Sequence, residues 1–159
     1  MTLTIVSGGQ TGADRAALDF ALRACLPHDG WCPLGRRAED GPLDARYQLR
    51  ETPTPKYDQR TAWNVRDSDA TVLFTTRPEL VGGTRLTQEI AASLGKPTLH
   101  LCAAERGPLE AAVELKRFLA ENSVTRVNVA GPRASQDPGV AAFVAEVLAA
   151  TLAADPPRE

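Results

Sequence analysis

The chain has 159 residues, of which 43% are hydrophobic and 24% charged, and its formal net charge is -2 at pH 7. This length suffices for one domain with a buried core, and the charge argues against general nucleic-acid binding, which needs a strong basic excess. No apolar run approaches the roughly 18 residues of a membrane span, and the first residues lack the basic segment of a signal peptide. The three cysteines form no CxxC pair, so we expect neither disulfides nor a zinc site and predict a cytoplasmic protein.

The first half of the chain contains two apolar runs typical of buried strands. Residues 3–6 predict the first strand, and the helical spacing of apolar residues over 12–25 predicts a helix after it. A short strand is expected at GWC (30–32), whereas residues 33–60 show no clear periodicity. The run ATVLFT (70–75) predicts the second buried strand.

The second half alternates helices with strands. The predicted elements are a helix over 84–95, a strand over 98–102, a helix over 107–122, a strand over 126–131 and a helix over 138–154. Such alternation indicates a mostly parallel sheet with helices on both faces. We expect a single domain over 1–154 and a frayed tail at 155–159.

Glycine-rich loops follow three of the predicted strands: SGGQTG (7–12), VGGT (81–84) and AGPRAS (130–135). Ligands of parallel sheets bind where strand-to-helix loops gather, and glycines beside a helix N-terminus let a phosphate approach backbone N–H groups. A tight turn with a threonine cap is the alternative. The loops match neither GxGxxG nor GK[ST], which disfavours a standard NAD or ATP site. The anion-site candidates are Gly8, Gly9, Gln10, Thr11, Gly12, Gly82, Gly83, Thr84, Thr87, Gly131 and Ser135, with Thr84 or Thr87 as the helix N-cap and the other as a ligand contact.

The aperiodic segment offers arginines for oxyanion recognition. GRRAEDG (35–41) contains Arg36 and Arg37, whose planar forks suit phosphate. Their alternative is a solvated loop in which they pair with Glu39 and Asp40.

The segment before the 70–75 strand is also polar. Arg60 and Asn64 fall on one side of a helix, and both a ligand role and a structural role stay open for them. For Asp67 and Asp69 we favour a structural ion-pair network at the start of the strand.

Five long stretches, in order, resemble the molybdenum carrier protein family, the circularly permuted YpsA-like branch of the SLOG superfamily. They are SGGQTGADRAALDFA, GWCPLGRRAEDGPL, YQLRETPTPKYDQRTAWNVRDSDATVLF, GGTRLTQEIAASLGKP and VNVAGPRAS, and the resemblance runs from about residue 4 to residue 150. It implies a Rossmann-like α/β/α fold, a nucleotide-related ligand and a homo-oligomer, either a dimer or a tetramer. Characterised relatives carry molybdenum cofactor (molybdopterin), which implies molybdoenzymes as recipients.

The residues favour binding over catalysis, because no catalytic constellation and no metal-ligand cluster emerges from the sequence. We expect a carrier for a phosphorylated heterocyclic cofactor, held by the glycine-loop amides and clamped by Arg36, Arg37 and Arg133, with Glu39 and Asp40 orienting the arginines. The alternatives are a hydrolase of a nucleotide-derived substrate, with Glu39 or Asp40 as the acid or base, and a nucleotide sensor.

Overall fold

The computed structural model describes residues 2–153, so the predicted tail at 155–159 lies outside the described residues. The strands are β1 (Thr4–Val6), β2 (His28–Asp29), β3 (Trp31–Cys32), β4 (Arg50–Glu51), β5 (Ala70–Thr75), β6 (Thr98–Cys102) and β7 (Arg126–Ala130). The helices are α1 (Ala13–Arg23), α2 (Tyr57–Arg66), α3 (Gly82–Ser93), α4 (Pro108–Glu121) and α5 (Val140–Leu152).

Five strands form an all-parallel sheet in the order β2-β1-β7-β5-β6. All six residues of β5 are buried, which is typical of a central strand covered on both faces. The strands predicted at 70–75 and 98–102 are confirmed. The short strand expected at GWC is present as Trp31–Cys32, and it pairs with β4 in a separate two-stranded sheet rather than joining the five-stranded one.

Helices α1, α4 and α5 pack together on one face of the sheet, and α2 and α3 pack against each other on the opposite face. The main core lies under α1, α4 and α5, where the rings of Phe74 and Phe143 meet edge to face with centroids 5.9 Å apart. The fold is therefore the expected three-layer, Rossmann-like α/β/α arrangement. Among the helices of residues 2–153, none combines the length and the hydropathy needed to cross a bilayer.

A second, smaller core holds the aperiodic segment in place. It consists of Leu18, Cys32, Ala38, Leu43, Tyr47 and Leu49. Because Leu18 belongs to α1, burial of these side chains fixes the segment against the helix that follows the first glycine-rich loop.

The strand order determines which loops meet. β7 lies between β1 and β5, so the loops that follow these three strands emerge side by side at one edge of the sheet. Those loops are 7–12, 131–139 and 76–81, and the last of them leads directly into α3.

Candidate ligand-binding cleft

A cleft of about 180 Å³ opens beside the carboxyl end of β7. Its walls come from the first glycine-rich loop, α2, the start of α3 and the loop after β7. The candidates from the sequence that line it are Gly8, Gln10, Arg60, Asn64, Gly83, Thr84, Thr87, Gly131 and Arg133. The candidates that lie outside its lining are Gly9, Thr11, Gly12, Arg36, Arg37, Glu39, Asp40, Gly82 and Ser135.

Arg36 supports the aperiodic segment from within. Its guanidinium donates to carbonyl oxygens of that segment at distances of 2.8–3.4 Å; the acceptors are Leu43, Asp44, Tyr47 and Leu49. Buried carbonyl groups outside regular structure need such donors, and an arginine fork supplies several at once. Arg37 points elsewhere, donating to the Pro55 carbonyl at 3.2 Å and stacking 4.4 Å from the Tyr57 ring centroid. Of the three arginines expected to clamp an anion, the structure brings only Arg133 to the cleft.

Glu39 joins three segments of chain outside the cleft. Its carboxylate accepts hydrogen bonds from the Thr11 hydroxyl and from the Ser135 N–H and hydroxyl, the last at 2.6 Å. Bonds from Ser135 and Thr11 hold the pKa of Glu39 below its ordinary value. Asp40 pairs with Arg15 at 2.9 Å, which lowers the pKa of Asp40 as well. Glu39 also lies 3.9 Å from Nη1 of Arg133, which lines the cleft, whereas Asp40 is engaged by α1. Neither carboxylate belongs to the cleft lining itself.

Close packing explains why two positions of the first glycine-rich loop are occupied by glycine. A Cβ at Gly8 would lie 2.5 Å from Cδ of Arg60, so the missing side chain makes room for this arginine. Gly12 has φ of +82° and a Cβ there would lie 2.4 Å from the Pro132 carbonyl oxygen. These glycines let Arg60 and the loop after β7 approach the backbone.

The N-terminus of α1 already has acceptors within the protein. The Ala13 N–H donates to the Pro132 carbonyl at 3.3 Å, and the Arg15 N–H donates to the Gln10 carbonyl at 3.0 Å. The Thr11 N–H donates to Oε1 of Gln10 at 3.0 Å. Few donors of this helix end therefore remain for an oxyanion.

The N-terminus of α3 differs, because it opens onto the cleft. Neither α1 nor α3 has a side-chain cap. The helix begins at Gly82 after the extended residue Val81, and Gly83 and Thr84 line the cleft. The expectation that Thr84 or Thr87 is the N-cap is wrong, since the helix starts before both. The Thr87 hydroxyl donates to the Gly83 carbonyl at 2.7 Å. Uncapped first-turn N–H groups carry the partial positive charge that attracts anions.

Arg60 and Asp14 form an ion pair within the cleft lining, in which Nη1 of Arg60 lies 3.7 Å from Oδ2 of Asp14. Arg60 also donates to the Gly8 carbonyl at 3.0 Å and to the Tyr57 carbonyl at 3.3 Å. Both residues are buried, with 8% of Arg60 and 7% of Asp14 exposed. No residue in the described part of the chain accepts a hydrogen bond from Nη2 of Arg60, so this nitrogen keeps donors for a ligand.

Burial raises the pKa of Asp14 to about 6, and Arg60 together with the N–H groups of Gln10 and Gly8 counteracts part of this effect. Sequence analysis missed Asp14. Its one signal is an acidic residue in the first helical turn after a glycine-rich loop, and that pattern is also typical of an ordinary helix start. Other cleft residues that it missed are Tyr57, Asp58, Thr61, Asn128, Val129, Ala130, Pro132 and Gln136.

Asn64 borders the cleft but uses its amide on the backbone of β3. Its Oδ1 accepts the Trp31 N–H at 2.7 Å and its Nδ2 donates to the Trp31 carbonyl at 3.0 Å. The structural role expected for Asp67 and Asp69 is confirmed, although only Asp67 shows the ion pair: it pairs with Nε of Arg66 at 2.8 Å. Asp69 instead accepts the Arg126 N–H at 2.9 Å.

The cleft offers no obvious metal-ligand set. Within residues 2–153, no group of three or more His, Cys, Asp or Glu side chains is arranged to hold a metal ion. Cys25 is exposed, Cys32 and Cys102 are buried, and all three are free thiols outside the cleft lining.

Comparison with known proteins agrees with this architecture. The crystal structure of a protein from Syntrophus aciditrophicus SB, described as a putative molybdenum carrier protein, is 41% identical in sequence, covers 96% of both chains and superimposes with a TM-score of 0.93. No curated protein matches the chain. The sequence profile of the circularly permutated YpsA SLOG family matches residues 5–152. The chain therefore belongs to the circularly permutated YpsA SLOG family.

Proposed function

We propose that this protein is a carrier that binds a phosphorylated heterocyclic ligand in the cleft, and that molybdenum cofactor is this ligand. The proposal rests on one observation: two groups that can bind an anion line the same cleft. These are the uncapped start of α3 and the buried guanidinium of Arg60 with its unused Nη2. The relative described as a putative molybdenum carrier protein supports the carrier role.

In this proposal the phosphate binds to the N–H groups of Gly83 and Thr84, and Arg133 approaches it from the loop after β7. The side chain of Gln10 suits the heterocycle, because its Oε1 already accepts the N–H groups of Thr11 and Glu39. Its Nε2 is left as a donor of fixed orientation toward a polar ring edge. In this proposal, recognition rests on the phosphate and the organic ring.

A carrier has to hold its cargo without breaking it. The carboxylates suggested for hydrolysis, Glu39 and Asp40, are occupied by Ser135, Thr11 and Arg15. This arrangement favours binding over hydrolysis. A cytoplasmic location, a homo-oligomeric state and delivery to molybdoenzymes stay predictions of the same proposal.

Native mass spectrometry of protein purified from a molybdenum-replete host tests the proposal, with the bound molecule released and identified afterwards. We expect the wild type to carry a phosphorylated organic anion. Arg133→Ala should bind this molecule about 10- to 150-fold more weakly, since a charge-assisted hydrogen bond contributes about 1.5–3 kcal/mol.

Arg37→Ala is the control, because Arg37 is an exposed arginine that lies outside the cleft lining. It should retain the wild-type occupancy. A wild type that carries no small molecule, or equal occupancy in all three proteins, would contradict the carrier proposal.

A further inference from the structure

We infer that the cleft takes up one proton together with its anionic ligand, and that Asp14 is the group that receives it. The inference rests on the proposed function, because it concerns how that cleft accepts negative charge. According to this inference, the protonation state of Asp14 determines how much negative charge the cleft accepts from a ligand.

The position of Asp14 carries this inference. Its carboxyl group lines the cleft, although only 7% of the residue is exposed, and it is 3.7 Å from Nη1 of Arg60. The Asp14 carboxylate therefore compensates the charge of Arg60. An incoming anion competes for that guanidinium and brings further negative charge close to a buried carboxylate.

Protonation of Asp14 resolves this conflict. A proton from solvent adds to one carboxyl oxygen of Asp14, the repulsion of the ligand disappears, and Arg60 is left to pair with the anion. No covalent bond to the ligand forms or breaks in this step. Because burial already places the pKa of Asp14 at about 6, only a modest further rise is needed for the group to be protonated in the complex near neutral pH.

Other charged or titratable side chains also face the cleft or lie close to Asp14. From α2, Arg60, Tyr57 and Asp58 face the same cleft, and the loop after β7 adds Arg133. From α1, Arg15 is engaged by Asp40 at 2.9 Å. The α3 residues that line the cleft, Gly83, Thr84 and Thr87, have no ionisable side chain.

Both histidines lie away from the cleft lining. His28 accepts the Gln48 N–H at 3.1 Å, and His100 lies 2.7 Å from the Thr75 hydroxyl. A proton taken up near pH 6 on ligand binding is therefore assigned to Asp14.

Sulfate is a suitable probe, because it stays a dianion throughout the relevant range of pH. Its affinity should be measured by isothermal titration calorimetry from pH 5.5 to 8 at constant ionic strength, in buffers with different heats of ionisation. We expect the wild-type affinity to fall about tenfold across this range, with the uptake of up to one proton per sulfate.

Asp14→Asn should lose this pH dependence, whereas Asp58→Asn, which changes the other carboxylate lining the cleft, should keep it. The buffer dependence of the wild-type binding heat needs no variant, so the inference is testable even if Asp14→Asn folds poorly. A wild-type affinity independent of pH, with no buffer-dependent heat, would overturn the inference and leave the anion cleft intact. Sulfate binding at no pH would contradict the anion cleft itself, and the inference with it.

Discussion

Replacing Arg60 with alanine is expected to destabilise the folded protein by about 3 kcal/mol at pH 7.5, because it leaves the carboxylate of Asp14 buried without its charged partner. The hydrogen bonds to the carbonyl oxygens of Gly8 and Tyr57 are lost as well. Urea unfolding, followed by circular dichroism, measures the loss. The same change should abolish measurable sulfate binding, since it removes the buried guanidinium of the cleft.

The effect of Arg60→Ala should depend on pH in a defined direction. The folded-state pKa of Asp14 lies above its ordinary value of 3.8, so its contribution to stability is lost as the pH rises from about 4 towards the folded-state pKa. Removing Arg60 raises the pKa of Asp14 further, so the variant loses more stability above pH 6 than the wild type does. We therefore expect a clearly smaller destabilisation at pH 5 than at pH 7.5.

Arg60→Lys serves as the control, because it keeps a positive charge but not the planar fork, and its stability should be intermediate. Equal destabilisation of Arg60→Ala at both values of pH would show that the coupling between Arg60 and Asp14 is absent.

Gly12→Ala is expected to destabilise the protein by about 3 kcal/mol or more, for two additive reasons. The residue has φ of +82°, which disfavours any side chain, and its Cβ would lie 2.4 Å from the Pro132 carbonyl oxygen and 2.8 Å from the Ala134 nitrogen. Both obstacles are backbone atoms, so the loop after β7 would have to move away from the first glycine-rich loop. Thermal unfolding monitored by calorimetry measures this loss.

Gly107→Ala is the matched control for this substitution. Gly107 precedes α4 with φ of -71°, and a Cβ there meets no atom within 4 Å. Its replacement should change the free energy of unfolding by less than about 1 kcal/mol. If Gly12→Ala is as mild as Gly107→Ala, the two loops are not packed as described.

The parts of the fold that sequence predicted well are those with a strong, continuous signal. The run 70–75 is mostly apolar because β5 is a central strand that is buried on both faces. The run 98–102 forms an edge strand in which only Leu101 and Cys102 are buried, and it was predicted from its leucines and from Pro97 before it. β2, β3 and β4 are two residues long, which is too short for any periodicity, so their pairing follows from tertiary contacts alone.

The sequence predicted where the loops that form the candidate site meet, but it did not predict the roles of the charged side chains there. Gly83 and Thr84 begin the helix that follows one of the loops brought to this edge by parallel topology, and Arg133 lies in another of these loops. The role of Arg36 depends on which carbonyl groups of the aperiodic segment lack other hydrogen-bond donors. No local sequence pattern predicts which carbonyl groups these are. Asp14 resembles an ordinary helix-start acid in sequence, and its burial beside Arg60 emerges only when α1 and α2 are brought together.

The central claim is that anions bind at the start of α3 beside Arg60, rather than at the N-terminus of α1. Mapping sulfate binding by amide chemical shifts in ¹⁵N-labelled protein tests this claim most directly. We predict that the largest saturable shifts fall on the N–H groups of Gly83 and Thr84 and on the Nε–H of Arg60. Shifts confined to residues 9–13, or no saturable shift in either region, would contradict it.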